Sequence, residues 1–540
     1  MNLPVPSLYL RQWKADRRLN YQVEKVDEYL KGLDEYKDQR PVLFFNASTR
    51  IHRLSLNGAY SLLASWALRA ASIPVRYIVC QRGMQQCILG TYQDRLDPPP
   101  PCTRCIYLSQ RLFPQDLTIP LIFQQATVDT LGSMLQDLSF PEMAVWDYQN
   151  IPLGELCLPG LRWALRSHQI PDTQAIRQLF QQYIISGYSL YTNFEQILDR
   201  QKPRALVVFN GIFYPEAIAR HVAQNRDIPV ITHEVGLRPY STFFSHGEAT
   251  FRQVDFNPEA PLTLSENERL DRYLSERFHG DFTMAGIRFW PKMEDLPNWL
   301  LERMKEFQQT IVVFTNVVFD TSQIHANTIF SNMFAWLEML KPIIQAYPET
   351  LFIIRAHPDE ERPGKRSRES VKEWIADQGF FEFENVVFFE PGDPVSSYEL
   401  INHSKLVLIY NSSIGLEASI LGAPVLSAGR ARFTQIPTVF FPVSRKKYEE
   451  RLLGLLNTQE IEVPPSFREN ARSFLYHELF AASLDLSEFL QPDESLQGMV
   501  IYSGFSPDRL QSSRQLEVIR NGILHNTPFL LSPDVKPESG

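Results

Sequence analysis

The residues whose types and spacing best suit chemistry are Ser412, Ser413, Gly415 and Glu417, within Lys405–Gly429, KLVLIYNSSIGLEASILGAPVLSAG. The pattern is an apolar β-rich run, a Ser/Gly corner, a helix, a turn and a second β run. Such a corner turns unpaired backbone N–H groups and hydroxyls toward whatever sits above the strand end, where an anion binds. A glutamate on the first helical turn is poorly placed beside a phosphate, but it can accept hydrogen bonds from a ribose diol farther along a nucleotide. Asn411, Ser412 and Ser413 equally suit an N-cap, with Glu417 favoured there by the helix dipole, so the corner alone leaves both readings open.

A second corner lies upstream. Thr350–Pro358, TLFIIRAHP, is a buried-type strand ending in Arg355, His357 and Pro358. Proline cannot continue a sheet ladder, so the strand must stop there and present His357 to a loop. A histidine at a strand end is usually structural, but ligands of open parallel sheets collect outside the carboxyl ends of strands. Together the two corners read as a nucleotide or nucleotide-sugar pocket.

Those corners need an α/β frame, and the chain supplies two. Pro41–Thr49 reads as a strand, Leu56–Ala71 as an amphipathic helix and Pro74–Cys80 as a strand, a βαβ opening. After a Pro/Cys-rich insertion and helix near Asp172–Arg200, Arg204–Gly211, Pro215–Asn225 and Pro229–Gly236 repeat strand, helix, strand. Leu262–Phe278 and Met293–Phe307 read as charged amphipathic helices between domains. A second series runs through the strand Ile311–Phe319, the helix Phe330–Tyr347, TLFIIRAHP, Asn385–Phe389 and the opening motif, ending near Pro442. Helices are expected over Arg445–Leu456 and Ser466–Phe489, then a loosely held end. The expected organisation is an N-terminal Rossmann-like domain over 1–245 and a helical connection over 246–308. A C-terminal Rossmann-like domain over 309–443 and helices and tail over 444–540 complete it. Two doubly wound α/β domains then face each other across a cleft.

Composition bounds the partners. At 540 residues the chain exceeds one ordinary core, and a net charge of -9 argues against a broad nucleic-acid-binding surface. The amino terminus lacks the apolar core of a signal peptide, and Leu54–Leu68 is too short to span a bilayer. Any membrane contact is therefore expected to be peripheral. Cys80, Cys87, Cys102 and Cys105 crowd together, the last two as CTRC, which can clamp zinc. The first pair is spaced too widely for the usual knuckle and Pro98–Pro101 intervenes, so no metal ligand is assigned.

The motifs resemble GT-B-type bacterial glycosyltransferases of capsule and surface polysaccharide biosynthesis. RAHP at 355–358, SSYELI at 396–401 and YNSSIGLEASILGAPVLSAG at 410–429 carry the likeness; FTNVVFD at 314–320 and FNGIFYPE with HEVG inside 209–236 carry it more weakly. The HP and Ser-Ser motifs are similar to those that hold a CMP-sugar in capsule Kdo transferases and bacterial sialyltransferases. Other GT-B proteins with a similar GLEA turn use UDP-sugars. The resemblance implies a GT-B-like fold and metal-independent transfer without a cofactor, from a nucleotide-sugar to a growing glycan or glycolipid acceptor. It also implies work in the cytoplasm, at the face of the inner membrane. His357 and Pro358 would border the nucleotide phosphate, Ser412 and Ser413 would bind its oxygens, and Glu417 would meet the ribose. Asn316, Arg355 and Gly415 complete the expected nucleotide site.

Inverting transfer needs a base for the acceptor hydroxyl and groups that neutralise the leaving phosphate. Glu234, at the end of a first-domain strand in HEVG, is the first choice of base, although it could equally be a partner for Arg238. His233 and Asp320 come next, and His357 is counted with the catalytic groups. Arg50, His52, Arg53, Asn210 and Gly211 are acceptor-side candidates. Arg430 and Arg432 suit an anionic substrate or lipid phosphate better than the solvated basic turns Lys365, Arg366, Arg368 and Arg445–Lys447 do. A GT-B-fold sugar epimerase, a teichoic-type polyol-phosphate transferase and a non-catalytic polysaccharide-assembly protein are the alternatives.

Overall fold

Runs such as VLFF, ALVVF and LVLI are apolar at every position because their strands are covered on both faces. The computed structural model describes residues 6–33, 40–49, 53–96, 98–257, 260–278, 293–362 and 366–532. Its strands are β1 (Val42–Phe45), β2 (Val75–Cys80), β3 (Thr118–Leu121), β4 (Ala205–Phe209), β5 (Val230–Val235), β6 (Ser241–His246), β7 (Gln309–Phe314), β8 (Thr350–Arg355), β9 (Val386–Phe389), β10 (Leu406–Ile409), β11 (Val425–Ser427), β12 (Leu484–Asp485), β13 (Leu490–Pro492) and β14 (Val500–Tyr502). They form a seven-stranded sheet ordered β12-β6-β5-β4-β1-β2-β3, a five-stranded sheet ordered β11-β10-β7-β8-β9, and the hairpin β13-β14.

Both sheets repeat one winding. β1 pairs in parallel with β2 and β4, and β7 pairs in parallel with β8 and β10. The chain direction across the sheet therefore reverses between β1 and β4, and again between β7 and β10. Those two places are the crevices where doubly wound sheets take ligands. Two Rossmann-like sheets in this GT-B-like arrangement agree with the sequence expectation.

Side-chain alternation divides each sheet between two cores. Val42, Phe44, Ala205 and Val207 face the core containing the helix Leu56–Ala70, whereas Leu43, Phe45, Leu206 and Val208 face the core containing the helix Gln174–Gln201. In the second sheet Ile311, Val313 and Leu408 face one side and Val312, Phe314 and Ile409 the other.

Three elements differ from expectation. The strand read as Ile311–Phe319 stops at Phe314, because Asn316 Oδ1 accepts from the Val317 N–H at 2.8 Å and turns the backbone locally. The helix read as Met293–Phe307 is Asn298–Lys305, its start set by Pro297. The segment Ser466–Phe489 is not one helix: Pro465–Tyr476 runs into a π turn over His477–Ala482 and then β12. From there the chain returns to the first sheet. β12 pairs antiparallel with β6, and Leu516, Ile519 and Ile523 of the helix Arg514–His525 enter the first core.

Arg53, an acceptor-side candidate, is absorbed by this return, pairing with Asp493 at 2.5 Å. Arg50, His52, Lys365 and the last eight residues of the chain lie outside the described residues.

Candidate functional site

The ends of β7, β8 and β10 open into one pocket. Its walls include Thr315, Arg355, His357, Pro358, Ser412, Ser413 and Glu417, so both sequence corners converge there. Phe314 leads into it from β7, and Arg277, Met293, Asp393 and Tyr398 close the sides.

Arg355 is the most telling wall residue. It is 5% exposed, and Nη2 donates to the Asp393 carbonyl at 3.2 Å, while Nε and Nη1 have no partner. A buried guanidinium with unmet N–H groups is costly unless a ligand meets them. Burial lowers its pKa to about 10, with Asp393 opposing, so it stays charged at neutral pH. Across the pocket the helix Ile414–Leu421 begins at Ser413 with no side chain capping it. Its N-terminal dipole therefore faces the same space. Ser412 is buried and Ser413 exposed at that corner.

His357 stands between them. Burial pulls its pKa down, with Asp359 and Asp320 opposing. Its Nδ1 accepts from the Asp359 N–H at 3.1 Å, so the neutral ring carries its proton on Nε2 and donates from there. Pro358 opens the short turn that fixes Asp359 beneath the ring.

Glu417 stands otherwise than expected. Oε1 takes Arg277 Nε at 2.7 Å and Nη2 at 2.5 Å, and Oε2 takes the Tyr398 hydroxyl at 2.6 Å. Its first task is to hold Arg277 and Tyr398 against the pocket, and only Oε2 keeps an acceptor position for a ribose hydroxyl. Gly415 is a packing glycine rather than a wall of the pocket, since a Cβ there would lie 2.2 Å from Ile409 Cδ1. Asn316 bridges β7 and β10, its Nδ2 donating to Asn411 Oδ1 at 2.7 Å.

The first sheet faces this pocket with its own crevice. Glu234 ends β5, half-buried, with Oε1 accepting from Asn57 at 3.2 Å and from the Val235 N–H at 2.9 Å, and Oε2 from Asn210 at 2.8 Å. Burial raises its pKa, the Asn210 bond opposes, and the charge of Asp320 on the other domain raises it again. Asp320 is exposed and acts on both Glu234 and His357, so the three expected catalytic groups share one electrostatic neighbourhood. Asn210, in the left-handed region at φ 57, also donates to Thr321 Oγ1 at 3.4 Å and so ties the two domains together.

Other candidates resolve differently. Arg238 pairs with Asp485 at 3.4 Å, not with Glu234. His233 is wholly buried beside Phe244, with burial pushing its pKa down to about 3, and has no access to a substrate. Gly211 packs against Thr232 and Arg220. Arg432 pairs with Glu478 at 3.0 Å, and Arg430 lies over the Phe251 ring at 4.2 Å, so both brace the contact between the sheets. The basic turns are solvated as expected: Arg366 and Arg368 are exposed, and Arg445 and Lys447 pair with Glu449 and Glu450 on the surface. Arg277, Asp393 and Tyr398 were missed by the sequence reading; Tyr398 alone carried a signal, inside SSYELI.

Residues 298–436 match the family model of capsule polysaccharide biosynthesis proteins. The resemblance read from the motifs thus holds over the segment that carries them, which includes every described wall of the pocket except Arg277 and Met293. No curated protein matches the chain at a significant level. Among solved structures the chain is similar to KpsC, beta Kdo 2,4 transferase, of Thermosulfurimonas dismutans. Identity is 13% and the TM-score 0.34, over 57% of this chain and 87% of that one. For the beta Kdo 2,7 transferase of the same organism's KpsC the identity is 15% and the TM-score 0.30, over 59% and 89%. For UDP-GlcNAc 2-epimerase from Neisseria meningitidis they are 13% and 0.23, over 81% and 98%. At TM-scores this low the similarities carry no argument about this chain's chemistry.

Proposed function

We propose that this chain is a glycosyltransferase moving a sugar from a nucleotide-sugar to a growing capsule or surface polysaccharide, or to its glycolipid precursor. The observation that carries the reading is Arg355: a buried, charged guanidinium whose Nε and Nη1 have no partner, lining the same pocket as an uncapped helix start.

The donor phosphate lies between Arg355, the N–H groups and hydroxyls at Ser412 and Ser413, and the Nε2–H of neutral His357. These groups stabilise the charge that develops on the departing nucleotide without a proton having to move first. The ribose lies toward Glu417 Oε2 and Tyr398, and the sugar projects toward the first domain. There Glu234 takes the proton of the attacking acceptor hydroxyl. Its raised pKa makes it a better base, and its three hydrogen bonds leave one acceptor position on Oε2. Asp320 holds the space between base and donor. The acceptor enters beside Asn210 and the loop after β1.

No helix among the described residues is long and apolar enough to cross a membrane. We place the reaction at the cytoplasmic face of the membrane, where a glycolipid acceptor would be met peripherally. The test is nucleotide release by the full chain from CMP-, UDP- and GDP-sugars, with and without oligosaccharide or glycolipid acceptors. Release that depends on acceptor supports the proposal. Sugar epimerisation without acceptor, or no turnover with any donor, overturns it.

A further inference from the structure

A second cavity lies in the first domain, beside the carboxyl ends of β1 and β2. Cys80, Cys87, Cys102 and Cys105 all line it. The sequence spacing does not require this convergence; the fold imposes it. Gly83 sits where a Cβ would lie 1.9 Å from Leu121 Cδ2 and 2.9 Å from the Leu121 carbonyl, and one at Gly90 would lie 2.7 Å from Pro100 Cα. The first approach holds the Cys80–Gly90 loop against the end of β3 and the second holds it against the proline run, which delivers Cys102 and Cys105 on the first turn of the helix Cys102–Leu112.

The four sulfurs are free thiols within electrostatic reach of one another. Cys102 and Cys105 both act on Cys80 and on Cys87, and Cys80 acts on Cys87. Burial pushes Cys80 and Cys87 up to about 12 and Cys105 up to about 11. Alone they are inert, neutral thiols. The Gly83 N–H points at Cys80 Sγ from 3.4 Å. Nothing in the proposed transfer uses any of these residues.

A single zinc ion needs its ligands at one point, with Zn–S about 2.3 Å. Among the described residues no three His, Cys, Asp or Glu side chains meet that condition. Four thiols lining one cavity match in number the thiolates of a group with more than one metal atom. An iron–sulfur cluster takes four cysteine thiolates spread across several iron atoms and is tuned by N–H groups directed at its sulfurs.

From this juxtaposition we infer that Cys80, Cys87, Cys102 and Cys105 ligate an iron–sulfur cluster. Each thiol gives its proton to solvent as its sulfur binds iron, and no electron transfer is required when the cluster arrives assembled. The cluster staples the start of the helix Cys102–Leu112 to the end of β2, beneath the acceptor-side crevice. Its role is structural and does not depend on which sugar is moved.

The test is the iron and acid-labile sulfide content of the full chain purified without oxygen, together with its visible absorption. The expected result is roughly equal iron and sulfide, about two to four of each per chain. They should be lost in a Cys102→Ser, Cys105→Ser double variant and kept in Cys157→Ala, whose thiol is buried away from the cavity. Stoichiometric zinc without iron, or wild-type protein that holds no iron even after anaerobic incubation with ferrous iron and sulfide, overturns the inference. The wild-type measurement decides whether or not the double variant folds.

Discussion

Arg277 lies along Glu417, Nε at 2.7 Å and Nη2 at 2.5 Å from the same carboxylate oxygen, and both residues line the donor pocket. Arg277 comes from the helix Leu264–Phe278, in the connection that precedes the second sheet. The connection is therefore part of the pocket, and the pair fixes how that helix meets the corner read first in the sequence.

Removing one member of this pair should cost stability. With Arg277 and Glu417 only 14% and 5% exposed, Glu417→Ala removes the carboxylate that takes Nε and Nη2 of a buried guanidinium, at a cost of about 3–5 kcal/mol. The Arg277→Met, Glu417→Leu double variant should recover most of that loss. Urea denaturation of the single and double variants checks it; losses that simply add would contradict the pairing.

Stability should also depend on pH through two buried carboxyls. Burial raises Glu216 from 4.5 to about 7 against its Ser48 hydrogen bonds, and raises Glu360 to about 8. A carboxyl raised on folding holds its proton more tightly in the native state. Its penalty is absent below the unfolded pKa and grows as pH rises through the window from 4.5 to the folded value. Glu216, at 0% exposure, should account for about 3 kcal/mol lost between roughly pH 4.5 and 7. Glu216→Gln should flatten that part of the stability profile, and Glu360→Gln the part reaching pH 8.

Asn210 should tune the base. Asn210→Gly tolerates the left-handed backbone while deleting the amide that donates to Glu234. Losing that bond lets Glu234 rise further, so the acid limb of kcat/KM should move to higher pH. Turnover at neutral pH should still fall roughly tenfold to hundredfold, because Glu234 loses the bond that orients it and a larger share of it is protonated. Unchanged donor affinity separates this effect from damage to the donor pocket, and an unmoved acid limb would remove Glu234 from the base role.

Gly415 should act through packing. Gly415→Ala forces Ile409 aside and should cost about 1–3 kcal/mol in thermal or urea unfolding, leaving the preferred donor nucleotide unchanged. A switch of nucleotide preference would instead put Gly415 in contact with the donor.

Much of the frame was legible because both sheets are buried on two faces and their strands are continuous apolar runs. RAHP and the Ser-Ser corner were legible because proline and the cap residues force strand ends. What stayed hidden is set by contacts distant in sequence. β12 is two residues long and has no pattern of its own until it meets β6. Arg277 looks like any charge on an amphipathic helix until Glu417 is placed beside it. Arg430 and Arg432 looked ligand-facing because they follow the donor motif, but Phe251, Phe243 and Glu478 claim them. The wide spacing of the cysteines argued against a knuckle, and only the close approaches at Gly83 and Gly90 bring them to one cavity.

The most direct test of the donor site is thermal unfolding of the full chain with CMP, CDP, UDP or GDP, repeated on Arg355→Ala. One nucleotide should stabilise the wild type by about 2.7 kcal/mol at a hundredfold excess over its Kd, and Arg355→Ala should remain folded and lose that stabilisation. No response to any nucleotide, or an equal response in the variant, would contradict the assignment of the pocket.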